Sequence, residues 1–199
     1  MTDLDPIEAR TDEELAREAR AGSRRSFEVL AHRYKRRLFV YLRSRTGSAE
    51  DAEDLVQDTF LKLFRGIGGY DPARRFSTWL YTAAGRLAID AYRKGKAGRN
   101  RLAIDDIKDP SAGPEVDPGQ SGGTALWDAA RTLGGDRFRA LWLRYGEDLT
   151  IEEIAAVLGR TGVAVRILLY RARTELGRRL GPARRPFAPG AASRASTRL

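Results

Sequence analysis

Apolar residues recur at helical spacing along almost the whole chain, and no convincing run of alternating β-branched residues interrupts them. A period of three to four residues places apolar side chains on one stripe of an α-helix, whereas a half-buried strand requires strict alternation. In the first long segment this stripe consists of Phe27, Leu30, Ala31, Tyr34, Leu38, Tyr41 and Leu42. The pattern therefore predicts an all-α fold.

The helical pattern stops in two places, and these breaks divide the chain. Residues 97–124 are rich in Asp, Pro, Gly and Ser, and residues 181–199 are rich in Pro, Gly, Ala and Arg. Such compositions bury too little apolar area to fold alone. We expect an N-terminal segment at 1–22, a first helical domain at 23–96, a flexible linker, a second helical domain at 125–180 and a disordered basic tail.

Charge and residue usage narrow the class of function. Lys and Arg number 36 against 27 Asp and Glu, which gives a formal net charge of +9 and favours nucleic acid as the partner. The chain has no cysteine, so disulfides and thiolate chemistry are excluded. No apolar run approaches the roughly 20 residues that cross a bilayer, and the N-terminus does not resemble a signal peptide. We expect a cytoplasmic protein without membrane insertion.

The stretch SAEDAEDLVQDTFLKLF, residues 48–64, reads as an acidic helix inside this basic chain. Ser48 can cap the helix. Its apolar stripe consists of Ala52, Leu55, Val56, Thr59, Phe60 and Leu63. The acidic residues Glu50, Asp51, Glu53, Asp54 and Asp58 lie elsewhere on the helix. Since an acidic surface gains nothing by facing phosphates, this one should meet a partner other than DNA.

A magnesium-dependent nuclease site is the enzymatic alternative for these acids. Asp51, Asp54 and Asp58 stand three and four residues apart and could hold a divalent cation. However, the chain lacks a glycine-rich phosphate loop with its Lys-Ser or Lys-Thr pair, and its single histidine, His32, lies near the first apolar stripe. We therefore expect no enzymatic activity, no metal and no cofactor.

Aromatic and cationic residues gather after the glycine-rich break at residues 66–69. These residues are Tyr70, Arg74, Arg75, Phe76, Trp79, Tyr81, Arg86, Arg93 and Lys94. Aromatic rings interleaved with cations suit single-stranded nucleic acid, because every base can stack and every phosphate attracts a positive charge. Trp79 can instead belong to the core.

The stretch TIEEIAAVLGRTGVAVRILLYRAR, residues 150–173, has the pattern of a helix-turn-helix. Thr150 and Glu153 form a capping box, Gly159 supplies a tight turn, and Thr161 can cap the second helix. Such a unit places the start of its second helix in the major groove. The candidate base readers are Thr161, Gly162, Val163, Arg166, Ile167 and Tyr170, with Arg171 and Arg173 as candidate phosphate contacts. The alternative is an ordinary pair of antiparallel helices.

Within residues 23–180, five motifs follow one another between residues 52 and 173: AEDLVQDTFLKLF, STWLY, AIDAYRK, LTIEEIAAVLG and RILLYRAR. Their order and spacing resemble the bacterial sigma factors of the extracytoplasmic-function type, within the sigma-70 family. The resemblance implies a non-catalytic subunit that binds core RNA polymerase, through the β′ clamp and the β subunit, and directs promoter-specific transcription initiation. It also implies promoter DNA and an anti-sigma factor as partners.

The resemblance also implies a role for individual residues. Polymerase binding falls on Asp54, Leu55, Gln57, Asp58, Leu61 and Phe64, which gives the acidic helix a protein partner. Recognition and melting of the minus-ten element fall on Tyr70, Arg74, Arg75, Phe76, Trp79, Tyr81, Arg86, Asp90, Arg93 and Lys94. For Asp90, an intrahelical ion pair with Arg86 or Lys94 is an alternative. The helix-turn-helix would read the minus-thirty-five element.

The alternative function is that of a stand-alone helix-turn-helix regulator, which binds DNA without contacting polymerase. It accounts for residues 150–173 but leaves the acidic helix without a partner. It also predicts a dimer on a palindromic site. Two unlike DNA-binding segments in one chain argue against it.

Overall fold

The computed structural model describes residues 7–98 and 124–180 of the chain. These ranges contain helices and turns and no strand, which confirms the all-α prediction. The chain divides into two compact units, one within residues 1–106 and one within residues 107–199. Nearly all of the predicted linker, and the predicted basic tail, lie outside the described residues.

Within residues 7–98, the N-terminal unit has four helices around one core. They are α1 (Asp12–Arg20), α2 (Arg24–Thr46), α3 (Ala49–Gly66) and α4 (Phe76–Gly98), with a short 3-10 turn at Ile67–Gly69. Helix α2 packs against each of the other three helices. It is therefore the central element of this unit.

Side-chain caps fix where these helices begin. The Ser48 side chain accepts a hydrogen bond from the backbone N–H of Asp51, 3.2 Å away, as the sequence predicts. Gly47 ends helix α2 with φ +73°, a left-handed conformation that a residue with a Cβ adopts only at a cost. The α2–α3 corner is thus set by two adjacent residues.

The core of this unit is the apolar stripe of α2 packed on aromatic rings of α4. Leu30, Leu38 and Leu42 are fully buried. The ring of Tyr41 meets that of Tyr81 edge-on, with centroids 4.9 Å apart. The predicted apolar stripes of α2 and α3 are buried or half-buried throughout. The spacing of apolar residues therefore predicted correctly which face of each helix packs in the core.

Helix α1 lies in the segment that the sequence analysis placed before the first domain. Thr11 and Glu14 form a reciprocal capping box at its start. Leu15, Ala16 and Ala19 are buried against the remainder of the unit. The folded unit therefore begins about ten residues earlier than we expected.

The C-terminal unit contains α5 (Thr124–Arg131), α6 (Gly135–Leu141), α7 (Ile151–Leu158) and α8 (Gly162–Leu180). A single π-helical turn, Trp142–Gly146, continues from α6. Helix α8 packs against α5, α6 and α7. Three large aromatic rings pack together in this unit. The ring centroids of Trp127 and Trp142 lie 5.0 Å apart, and the Phe138 ring stacks on Trp142 with centroids 6.0 Å apart.

In the described part of the chain, no helix combines the length and the apolar character that a bilayer-spanning segment needs.

Candidate functional site

The outer face of helix α3 is acidic along its first half. Asp54, Gln57 and Asp58 are exposed, while Leu55 and Val56 are buried on the other side of the helix. Because residues 54, 58 and 61 are four and three positions apart, they follow one stripe. Within residues 7–98 and 124–180, no ion pair involves Asp54 or Asp58. Their charges are thus available to a partner.

The same face becomes apolar toward the end of the helix. Leu61 is 52% exposed and Phe64 is 45% exposed. The inner edge of the Phe64 ring meets Phe27, with centroids 5.1 Å apart, so the ring is held in place while its outer side faces solvent. We name the exposed residues Asp54, Gln57, Asp58, Leu61 and Phe64 the α3 face.

Leu55 does not belong to the α3 face. Its side chain is 7% exposed and packs in the core. The resemblance placed it among the polymerase contacts, but a buried side chain cannot touch a partner while the unit stays folded. Leu55 therefore anchors α3 to the core of the unit.

Helix α4 presents a second face, on which cations follow an aromatic ring. Trp79, Arg86 and Arg93 are spaced seven residues apart, so they follow one stripe of the helix. Trp79 is half-buried, and Arg86 and Arg93 are exposed. Asp90 is also exposed, and among the described residues it forms no ion pair with Arg86 or Lys94. The alternative interpretation of Asp90 as half of an intrahelical pair is therefore not supported.

Three aromatic residues assigned to this DNA surface are in the core. Tyr70, Phe76 and Tyr81 are at most 1% exposed. The rings of Phe76 and Tyr81 pack on rings of α2, and the Tyr70 ring packs on Phe76. A buried ring cannot stack on a base, so the prediction of direct base contact is corrected for these three. Of the four aromatic residues predicted to contact this DNA, Trp79 alone is partly exposed. Its ring centroid lies 5.3 Å from that of Tyr70 and 6.0 Å from that of Phe76.

Tyr70 instead fixes the loop that carries two exposed cations, Arg74 and Arg75. Its hydroxyl donates a hydrogen bond of 2.6 Å to the backbone carbonyl of Arg74. Burial, with a further contribution from the negative charge of Glu13, raises the pKa of Tyr70 to about 12. The phenol therefore stays protonated at neutral pH and keeps its donor role.

Helix α1 contacts the 3-10 turn that leads into this loop, a role that the sequence analysis missed. The Arg20 guanidinium donates a hydrogen bond of 3.2 Å to the carbonyl of Gly68. Thr11 and Glu14, three residues apart and followed by Leu15 and Ala16, are the sequence signal that could have revealed this helix. Loop position thus depends on residues outside the predicted first domain.

In the C-terminal unit, α7 and α8 form the predicted pair of helices around a tight turn. Thr150 and Glu153 make the capping box. Gly159 has φ +63°, and Thr161 accepts a hydrogen bond of 3.2 Å from the backbone N–H of Ala164. Gly159 and the Thr161 cap therefore fix where α7 ends and α8 begins.

The predicted DNA-reading residues lie on the outer side of α8. Those exposed are Thr161, Val163, Arg166, Ile167, Tyr170, Arg171 and Arg173. Gly162 is half-buried, and a Cβ there would meet the Ile151 side chain at 3.6 Å. The opposite side of the helix, with Val165 and Leu169, is buried. The structure thus brings the predicted set together on one accessible surface.

Two ion pairs lie at the turn, one of them between well-exposed side chains. Arg166 reaches Glu152 of α7 at 3.7 Å, and Arg160 reaches Asp136 of α6 at 2.9 Å. Asp136 also pairs with Arg139. Burial alone would raise the pKa of Asp136, but the charges and hydrogen bonds of these two arginines outweigh it and hold the pKa below its ordinary value. Arg160 thereby tethers the turn to α6.

No cluster of three or more acidic or histidine side chains suited to a metal occurs within the described ranges.

Comparison with known proteins identifies both units. The family profile described as Sigma-70 region 2 matches residues 30–98, and the profile described as Sigma-70, region 4, matches residues 124–176. The ECF RNA polymerase sigma factor BldN of Streptomyces coelicolor is 33% identical over 174 residues, which cover 84% of this chain and 65% of BldN. The RNA polymerase sigma factor CarQ of Myxococcus xanthus is 33% identical over 162 residues, which cover 81% of this chain and 93% of CarQ.

A solved structure shows the same architecture. CnrH, in complex with the cytosolic domain of CnrY, aligns with a TM-score of 0.55 at 25% identity. The alignment covers 85% of this chain and 96% of CnrH. The two helical units, the two family profiles and the two sigma factor relatives all indicate the same family. The chain therefore belongs to the sigma-70 family of RNA polymerase sigma factors, among those of the extracytoplasmic-function type, whose role is promoter-directed transcription initiation.

Proposed function

We propose that this protein binds core RNA polymerase, melts the minus-ten element with its N-terminal unit and reads the minus-thirty-five element with its C-terminal unit. One observation carries the proposal: the described part of the chain presents an acidic and apolar helix face that forms no ion pair there, together with two separate cationic surfaces. The acidic face suits a protein partner, and the cationic surfaces suit DNA. Polymerase supplies all the chemistry, so the chain itself is not an enzyme.

The α3 face is the proposed contact with the β′ clamp. Asp54 and Asp58 would meet cationic side chains, while Leu61 and Phe64 would bury apolar area beside them. Because Phe64 already rests against Phe27, docking orders no new ring and loses little conformational freedom. The charges would mainly speed association and select the partner, and the apolar residues would supply affinity.

The outer face of α4 is the proposed surface for the melted minus-ten strand. Trp79 is half-buried, and Arg86 and Arg93 follow it along the same stripe of the helix. Arg74 and Arg75 extend the cationic surface into the loop. Stacking of an unpaired base on an aromatic side chain is worth about 1 to 3 kcal/mol, which offsets the cost of unpairing. Tyr70, Phe76 and Tyr81 would hold this surface in shape from inside the core.

The exposed side of α8 is the proposed reader of the duplex minus-thirty-five element. An α-helix fits the major groove, and the first turns of the second helix in such a unit lie nearest the bases. Arg171 and Arg173 are exposed, and neither forms an ion pair within the described residues. Both are therefore suited to phosphates on the groove walls.

A second protein partner and a cytoplasmic location complete the proposal. The similar protein CnrH was solved with the cytosolic domain of CnrY bound. We assign this chain an anti-sigma factor as a further protein partner, as the resemblance in sequence implies. Transcription places the protein with the chromosome and polymerase, in the cytoplasm.

Run-off transcription with purified core polymerase tests the proposal directly. The template would be a pool of promoters randomised at both elements, and the transcribed templates would be sequenced. We expect transcripts only when the chain is added, with enrichment of two sequence blocks. A stand-alone regulator would enrich a palindrome in a binding assay without core and would produce no transcript, and that result would reject the proposal.

A further inference from the structure

Helix α8 carries an exposed apolar stripe. Val163, Ile167 and Tyr170 are 63%, 46% and 65% exposed, and their spacing of four and three residues aligns them along the helix. The described part of the chain has six large exposed apolar residues, and these are three of them. Such a concentration on one helix indicates a binding surface rather than scattered surface residues.

The stripe lies on the side of α8 that the core does not use. The buried residues Val165, Leu169, Ala172 and Leu176 form the opposite side of the helix. Packing within the unit therefore does not explain the stripe. Its first two members also stand in the first two turns of the helix, which are the turns that enter the groove in a helix-turn-helix.

Positive charge flanks the stripe on both sides. Arg166 and Arg173 lie along one edge and Arg171 along the other, as their helical positions require. The pair between Arg166 and Glu152, at 3.7 Å, draws this guanidinium toward α7. The centre of the exposed surface is thus apolar, and its margins are cationic.

A DNA major groove complements this arrangement. Its two walls are rows of phosphates, and its floor carries apolar groups wherever a thymine presents its C5-methyl group. An acidic protein surface could match the cations, but it would not account for apolar residues at the positions where such helices meet bases. The charge pattern and the helix position together favour DNA.

We propose that Val163 and Ile167, with Tyr170 beyond them, read thymine C5-methyl groups in the minus-thirty-five element. The inference rests on the proposed function and adds the kind of contact by which α8 recognises bases, namely apolar contact with thymine methyl groups. The upstream element then contains thymine, on either strand, opposite the first two turns of α8. Each methyl group that leaves water on binding contributes about fourfold to affinity.

Replacing thymine by uracil tests the inference, because uracil differs only by the missing methyl group. Promoters enriched from the randomised pool by the holoenzyme would be resynthesised with uracil at one upstream thymine at a time. We expect binding of the holoenzyme to fall about fourfold at one or more positions. All hydrogen-bonding groups of the groove remain, so the loss reports the methyl contact alone.

Two variants assign the contact to this stripe. Ile167→Ser should reduce the ratio of thymine to uracil affinity to about one at the affected position, while phosphate contacts keep the complex measurable. Ile167→Val keeps a branched apolar side chain and should retain most of the ratio. Since Ile167 is exposed, neither variant should alter the fold, and thermal melting would verify this.

Equal affinity for thymine and uracil at every upstream position would overturn the inference, whether the promoter is transcribed or not. If transcription remains intact in that case, the proposed function stands and the stripe contacts something else, such as an acidic protein. Failure of the holoenzyme to select any promoter would reject the proposed function, and the methyl readout with it.

Discussion

At the scale of single residues, Asp136 connects helix α6 to the turn of the helix-turn-helix. Its carboxylate receives hydrogen bonds from Arg139 and from Arg160, the latter at 2.9 Å. Arg160 lies directly after Gly159, so this carboxylate fixes the turn from which α8 departs. The pKa of Asp136 lies below its ordinary value, because the two guanidinium groups outweigh the effect of burial.

Asp136 should therefore make the C-terminal unit sensitive to acid. A carboxyl with a lowered folded pKa stabilises the fold fully above its unfolded pKa of about 3.9, and this contribution is lost as pH falls through the folded value. We expect Asp136→Asn to lower the free energy of unfolding by about 1 to 3 kcal/mol at pH 6, and the difference from the native chain to shrink toward pH 3. Fluorescence of Trp127 and Trp142 in a Trp79→Phe background would follow this unit alone.

Asp128 provides the matched control. It pairs with Arg131 at 3.2 Å but is mostly exposed, so Asp128→Asn should change stability by less than about 0.5 kcal/mol at any of these pH values. An equal effect of the two substitutions would contradict the special position of Asp136.

The residues that sequence predicted correctly are those whose partners are local. Thr150 pairs with Glu153 three residues on, and Ser48 caps the backbone of Asp51, so spacing alone identifies them. The pair of Asp136 and Arg160 joins residues 24 apart, and no local pattern predicts it. Tyr70 was misplaced for a similar reason: an aromatic ring suits both a core and a base, and only its contacts with the rings of Phe76 and Trp79 decide between them.

At the scale of elements, α1 completes the core of the N-terminal unit. Leu15 is fully buried, although it lies in the segment that the sequence analysis placed outside the domain. We expect Leu15→Ala to destabilise the protein by about 2 to 5 kcal/mol, because it removes buried apolar area and leaves a cavity. Chemical denaturation followed by circular dichroism would measure the loss.

Arg17 lies on the same helix and is exposed, so Arg17→Ala should cost less than about 0.5 kcal/mol. If Leu15→Ala were equally mild, α1 would not be part of the folded unit. The helix escaped the sequence analysis because it is only nine residues long and two of its three buried residues are alanines. So short an apolar stripe gives a weak periodic signal.

Helix α3 was predicted in greater detail because it carries two distinct stripes over 18 residues. Charge reversal by Asp54→Lys with Asp58→Lys should weaken binding to core polymerase by about tenfold or more, since it places like charges in contact. Glu53→Lys changes an exposed acid beside the α3 face and should have a much smaller effect. The affinity for labelled core polymerase would be measured at two salt concentrations. Because salt screens long-range attraction between charges, a loss of affinity that persists at high salt reports a direct contact at the interface.

Thermal melting of both variants serves as the control for folding, because the substituted side chains are exposed. Unchanged affinity in the doubly reversed variant would remove the α3 face from the polymerase interface.

At the scale of the whole molecule, the chain joins two unlike helical units that carry three separate surfaces. The α3 face and the outer side of α4 belong to one unit, and the outer side of α8 belongs to the other. If these surfaces bind different partners, their activities can be removed one at a time. A chain that keeps polymerase binding but has lost upstream DNA contacts should then act as an inhibitor of the native protein.

A mixing experiment tests this separation. Replacement of Arg166, Arg171 and Arg173 by Ala should leave the α3 face intact, so this variant occupies core polymerase without initiating efficiently. With core limiting and template in excess, a fivefold excess of the variant should lower native transcription roughly sixfold by mass action. The Asp54→Lys, Asp58→Lys variant at the same excess should lower native transcription by about 1.5-fold or less, because its weaker affinity leaves most of the polymerase with the native chain. Equal inhibition by both variants would mean that competition occurs on DNA and that the α3 face does not hold the polymerase.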